Sequence, residues 1–286
     1  MNYFKTFLLM TILTLILIVA GGVLGGQNGM IIALIFAAVM NFGTYWFSDK
    51  VVLSMYHAAP VTEDEEPELY SIVRDLSNRG SIPMPKVYIV DEDTPNAFAT
   101  GRNPQHAAVC VTTGIMKILN RNELSGVIGH ELTHVRNRDI LIGSIAATVA
   151  GAISILAWMA EWGAMFTGFG GRGEDREGSI VGLIIMAILA PLVATMIQLA
   201  ISRQREYAAD KGGAGLSGNP LYLASALKKL EAGNEQMPMA ANQVTNATAH
   251  MFIINPLQGG VFKKLFSTHP PTEARIAKLE SMARGL

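Results

Sequence analysis

The chain has 286 residues, 50% of them hydrophobic and 16% charged, with a formal net charge of -1 and a mean hydropathy of +0.32. Intrinsic disorder is excluded, because it needs low hydrophobicity and high net charge, and near neutrality leaves no electrostatic footprint for nucleic acid. A single cysteine, Cys110, excludes an intrachain disulfide and a cysteine metal cluster.

The apolar excess lies in four runs: Phe7 to Leu24, Met30 to Phe47, Ile140 to Ala160 and Ser179 to Ile201. Each reaches the roughly 18 charge-free residues that span hydrocarbon. Gly25-Gly26-Gln27-Asn28-Gly29 separates the first two and reads as a turn, so 1–48 is predicted to be an uncleaved transmembrane hairpin. The third and fourth runs predict a second hairpin over 140–201, with a polar loop from Gly163 to Gly178 and Trp158 and Trp162 at an interface. With this topology Lys5, Lys50, Arg136, Arg138, Arg203, Arg205 and Lys211 fall on one side, while only Arg172 and Arg176 fall on the other. The positive-inside rule then puts both termini and the segment between the hairpins in the cytoplasm. None of the spans contains Asp, Glu, Lys or Arg, which leaves a transporter without an ionisable pathway.

Segments 49–139 and 202–286 hold most of the charge and are expected to pack as one polar domain. After the acidic cluster Glu63 to Glu68, Leu69, Ile72, Val73 and Leu76 recur at helical spacing until Gly80. Lys86 to Val90, Ala97 to Ala99 and Ala107 to Val111 read as a small sheet of about three strands. Asn120 and Glu123 form a capping-box start, and Leu124, Val127, Ile128, Leu132 and Val135 continue that helix. The stretch from Gly233 to Gly260 reads as a long mobile loop, and His57, His106 and His250 have no partner at ligand spacing.

On the capped helix lies His130-Glu131-Leu132-Thr133-His134. Histidines at i and i+4 share one helix face and can reach one zinc ion, with Glu131 beside a metal-activated water. Glu206, in Glu206-Tyr207-Ala208-Ala209-Asp210, supplies a third ligand, and Asp210 one turn later can accept the second ring N–H of a zinc histidine. Three ligands and an open position argue for catalysis; the rival reading is a non-catalytic scaffold or chaperone stabilised by zinc.

With Asn96-Ala97-Phe98-Ala99-Thr100-Gly101 and Ser267-Thr268-His269-Pro270-Pro271 added, the ordered set resembles the HtpX family of membrane-bound zinc endopeptidases, gluzincins related to the CAAX prenyl proteases. The resemblance implies an α-helical membrane protein with an α+β gluzincin-type domain, about four transmembrane helices and a small sheet with an accessible edge. It implies one zinc per subunit and makes Asn96, Ala97, Phe98 and Ala99 a substrate-binding edge strand whose asparagine holds a substrate amide. His269 is expected to donate to the oxyanion, with Asn96 assisting, and Arg275 to anchor the same corner through a carboxylate. The implied task is cleavage of misfolded or damaged membrane proteins at the bacterial inner membrane, in quality control and stress response.

Overall fold

The structure, a computed structural model, describes residues 2–149, 203–257 and 270–285. Helix α1 (Asn2–Met55) is two arms joined through non-helical Gly25 and Gly26, the latter at φ 57, where a side chain would be strained. The arms fold against each other. A Cβ on Gly21 would lie 2.4 Å from the Gly29 carbonyl oxygen, and Asn41 donates to Thr14 across the pair at 2.8 Å. Among the described residues one helix, Gly25–Met55, is long and apolar enough to cross a membrane. Its Ile32 and Phe42 are 68% and 63% exposed, and a row of such side chains is stable against lipid rather than water. Of the second expected hairpin, the described part is the apolar helix α5 (Ile140–Val149); 150–201 lies outside the described residues.

The last turns of α1 leave the apolar span and enter the polar domain. Arg102 covers the Trp46 ring at 4.5 Å, and a few residues on, Val52 and Leu53 are buried beside Phe98 and Phe252. The sheet has four strands in the order β1-β2-β4-β3: β1 (Ala59–Pro60), β2 (Lys86–Val90), β3 (Ala97–Gly101) and β4 (Ala107–Thr112). β2 and β4 are parallel, with Lys86 opposite Ala108; β3 and β4 are antiparallel, with Ala97 opposite Val111. Strand β1, two residues long, carries no alternation from which to expect it.

Period-two alternation sends Ala97, Ala99, Val109 and Val111 to the main core, and Phe98, Ala108 and Cys110 to a second core against the end of α1. Both faces are covered, which is why these strands read as continuous apolar runs. Helix α2 (Pro67–Gly80) buries the expected Leu69, Ile72, Val73 and Leu76. A short helix α3 (Thr113–Ile118) follows β4. Helix α4 (Arg121–Asn137) starts at the expected capping box of Asn120 and Glu123.

Helices α6 (Arg203–Ser217) and α7 (Pro220–Gln236) pack on α4; after α8 (Gln243–Thr248), α9 (Thr272–Ala283) packs on α7 and α6. The crossing of α4 and α6 is backbone on backbone. A Cβ on Gly213 would meet His130 N at 2.7 Å, and one on Gly129 would meet Gly213 O at 2.9 Å. As far as Leu257 the expected mobile loop is instead ordered structure: α7 runs to Gln236, α8 has its own capping box, and Met239, Phe252 and Ile253 are buried. Polar composition misled there because a few apolar side chains suffice to anchor an irregular segment.

Candidate active site

Helix α4 places His130 and His134 on one face with Nε2 atoms 3.2 Å apart. Close contact at the glycine crossing brings Glu206 from α6 between them, its carboxylate 3.7 Å from His130 Nε2 and 3.5 Å from His134 Nε2. The ligand atoms of these three residues all lie within 4.8 Å of one another. Each imidazole is oriented from behind. His130 Nδ1–H donates to Asp210 at 2.9 Å, and His134 Nδ1–H donates to Asp139 at 3.1 Å. Because ionised carboxylates only accept, each imidazole when neutral presents its Nε2 lone pair inward, toward a third acceptor. Three acceptor atoms facing one another call for a cation between them, a proton or a metal ion, and two imidazoles with one carboxylate suit zinc.

Asp210 is held on its other side by Arg275, whose Nε and Nη2 donate to the two carboxylate oxygens at 2.9 and 2.7 Å. Arg275 is 1% exposed. Burial alone would raise the Asp210 carboxyl, yet the Arg275 guanidinium and His130 hold it far below the usual carboxylate range. The charge is therefore permanent, and the pair fixes the imidazole from the protein interior. Arg275 Nη1 also donates to the Ile253 carbonyl at 2.8 Å, tying the segment after α8 to the same corner.

Electrostatics separate the two histidines in the metal-free chain. Burial pushes His130 down to about 4, outweighing Asp210. For His134 burial also opposes the charge, but Glu206 and Asp139 outweigh it and hold the imidazole up at about 9. A proton on His134 thus supplies the positive charge that the acceptor cluster demands. Glu131, 3% exposed, is pushed up to about 8 by burial and accepts a hydrogen bond from the Ala99 amide. A carboxylate poised near neutrality suits a general base.

The cavity between these groups measures about 50 Å³ and is lined by Ala99, His130, Glu131, His134, Asp139, Arg205 and Glu206 on one side and His250 to Ile253 on the other. It has room for an ion and a water but not for a peptide side chain. His250, read from sequence as an ordinary residue, is 6% exposed and faces this cavity, with its ring 3.3 Å from the Gly143 carbonyl.

Strand β3 is at the sheet edge as expected, but its edge is largely taken. Ala97 O accepts from Ile253 N at 3.1 Å, Ala99 N serves Glu131, and Gly101 N donates to Ser144 Oγ at 3.3 Å. Among the described residues no donor is bonded to the Ala99 carbonyl. The expected accessible edge is thereby corrected to one open carbonyl beside the metal ligands. Asn96 departs further. It is 0% exposed, and its side chain donates to Ile254 O at 2.7 Å while its oxygen accepts from Ala97 N and Ile254 N, so it braces the strand against the segment after α8 from a buried position. Phe98 points to the opposite sheet face, against Tyr56 and Phe252. His269 lies outside the described residues.

Residues 63–283 match the model of peptidase family M48. The chain is 60% identical to a protease HtpX homolog of Syntrophotalea carbinolica, covering 99% of both chains. It is 58% identical to one of Thermodesulfovibrio yellowstonii, again over 99% of each. A counterpart in Thermococcus kodakarensis is 55% identical over 98% of this chain and 96% of its own. The crystal structure of S. mikatae Ste24p shares the fold, with a TM-score of 0.52 and 15% identity over 98% of this chain and 65% of that one.

Proposed function

The chain belongs to peptidase family M48 and is a membrane metalloprotease; we propose that it is a zinc endopeptidase that cuts misfolded or damaged membrane-associated polypeptides on the cytoplasmic side of a bacterial inner membrane. The observation that carries the chemistry is the convergence of two imidazole lone pairs and the Glu206 carboxylate beside buried Glu131. His130, His134 and Glu206 would hold one zinc ion. When bound, zinc supplies a Lewis acid and lowers the pKa of water toward neutrality.

The protein's own groups do the rest. Glu131 takes the proton of the attacking water and hands it to the leaving amine. Its hydrogen bond from the Ala99 amide fixes the carboxylate, and the adjacent Ala99 carbonyl accepts a substrate N–H, so the scissile bond crosses the cavity mouth. His269 is the proposed oxyanion donor. Arg275 and Asp210 orient His130 and take no part in proton transfer.

Membrane-associated substrates are supported by the path of α1, which runs from the exposed apolar span into the core beside β3. Cytoplasmic placement is supported by the basic residues flanking the spans. A labelling test at Arg172 checks it, since reagent access from the cytoplasm would sink the four-span arrangement. The enzyme test compares zinc-loaded protein and Glu131→Gln on an unfolded membrane-protein substrate in detergent. We expect the variant to keep stoichiometric zinc and lose cleavage, and undiminished cleavage would remove Glu131 as the base.

A further inference from the structure

We propose that Asp139 is a positioning residue for the metal ligand His134, and that with Arg205 it ties that ligand to both ends of the 140–201 membrane segment. The proposal rests on the metal-centre reading above. His134 Nδ1–H donates to Asp139 Oδ2 at 3.1 Å, while Arg205 Nη1 stands 3.8 Å from Asp139 Oδ1. Asp139 and the Arg205 side chain are 9% and 16% exposed, so neither is a solvated surface group.

The backbone is shaped for this contact. Helix α4 ends in Arg138 at φ 60, a left-handed helix-ending turn made without glycine. The turn satisfies the last carbonyls of α4, with Arg138 N donating to Val135 O at 3.1 Å. It also folds Asp139 back beneath the imidazole, with Asp139 N donating to His134 O at 2.9 Å.

The result parallels the other ligand, in which Asp210 orients His130 and Arg275 holds Asp210. Here the carboxylate fixes which ring nitrogen carries the hydrogen, and so aims the Nε2 lone pair at the site. The difference lies in connectivity. Asp139 immediately precedes Ile140, the first residue of α5, and Arg205 sits in the first turn of α6, next to Glu206. The arm behind His134 is thus built from the two chain ends that lead into and out of the membrane segment, whereas the arm behind His130 lies within the domain.

The test uses full-length protein in detergent, stripped of metal and titrated with Zn²⁺ against a chromophoric chelator, then with Co²⁺ for its visible spectrum. Asp139→Asn and Asp139→Ala should weaken zinc binding on the order of 10–100-fold and shift the Co²⁺ bands. On an unfolded protein substrate kcat should fall while KM stays near wild type. Arg205→Gln should weaken zinc by a smaller factor; unchanged affinity there would remove Arg205 from the arm. Wild-type zinc affinity with an unchanged Co²⁺ spectrum in both Asp139 variants would overturn the proposal and leave the metal centre standing. A wild-type protein that binds neither metal would overturn both. If the variants lower the melting temperature of the metal-free protein while the folded fraction binds zinc normally, Asp139 is structural only and the proposal fails.

Discussion

Replacing Gly213 by alanine adds one carbon and should dismantle the metal centre. The new Cβ would stand 2.7 Å from His130 N, 2.9 Å from His130 Cα and 3.1 Å from Gly129 C. Ordinary carbon contacts are about 3.5–4 Å, so α6 must withdraw from α4 by roughly 1 Å. Backbone atoms cannot swing aside as a side chain would. Glu206 lies seven residues earlier on α6, about two turns along the same face, and moves away from His130 and His134 with it. Metal geometry tolerates only about 0.2 Å, so zinc affinity should drop at least tenfold. Overpacking costs about 1–3 kcal/mol, partly offset by alanine's better helix propensity of about 1 kcal/mol. At about 2–4 °C per kcal/mol, the metal-free protein should melt a few degrees lower. Gly215 on the same helix is the control, because a Cβ there meets nothing within 4 Å and Gly215→Ala should be neutral or mildly stabilising. Chelator competition and thermal melts on both variants decide the matter. Wild-type zinc affinity and melting temperature in Gly213→Ala would refute the idea that backbone contact sets the ligand spacing.

Zinc uptake should release protons. At pH 7 His134, held up at about 9 in the metal-free chain, carries a proton that the cation must displace, so apparent affinity should rise roughly tenfold per pH unit from 7 and level off above 9. Calorimetry in buffers of different ionisation enthalpy should show at least one proton released at pH 7; none released would refute the assignment. Arg275→Leu strands the buried Asp210 charge and should cost about 3–5 kcal/mol, read as lost urea resistance, with an unchanged denaturation midpoint counting against the buried pair. Asn96→Ala should destabilise the fold by about 1–3 kcal/mol while leaving KM unaltered in the folded fraction. A raised KM with normal stability would instead support the substrate role.

Legibility followed locality. His130 and His134 are one turn apart on one helix, so their shared face is a property of the α-helix itself. Asp210 was legible as a carboxylate one turn from Glu206, although its bidentate partner Arg275 is 65 residues away. Asp139 was not, because its reach back to His134 depends on the left-handed turn at Arg138 and no residue type there announces one. The bracing role of Asn96 was hidden for a related reason. A motif gives the residue and the strand, but the side on which its amide is spent is decided by Ile254, which packs against it from 158 residues further on. Gly126, Gly129, Gly212 and Gly213 stood plainly in the sequence, yet only the fold shows which of them face another backbone.

The second arm of α1 runs without interruption from Gln27 to Met55, past exposed Phe42 and Trp46 to buried Val52 and Leu53. A helix advances 1.5 Å and turns about 100° with each residue, so this arm acts as both a ruler and a compass. It sets how far above the bilayer the catalytic mouth stands and which way the mouth faces. Inserting one residue after Phe47 would swing the whole catalytic domain by about 100° around its anchor. Inserting seven would raise it by about 10 Å while keeping its heading nearly the same. The height and bearing of the blade are therefore written in part into the residue count of this helix, which has to agree with the 140–201 segment.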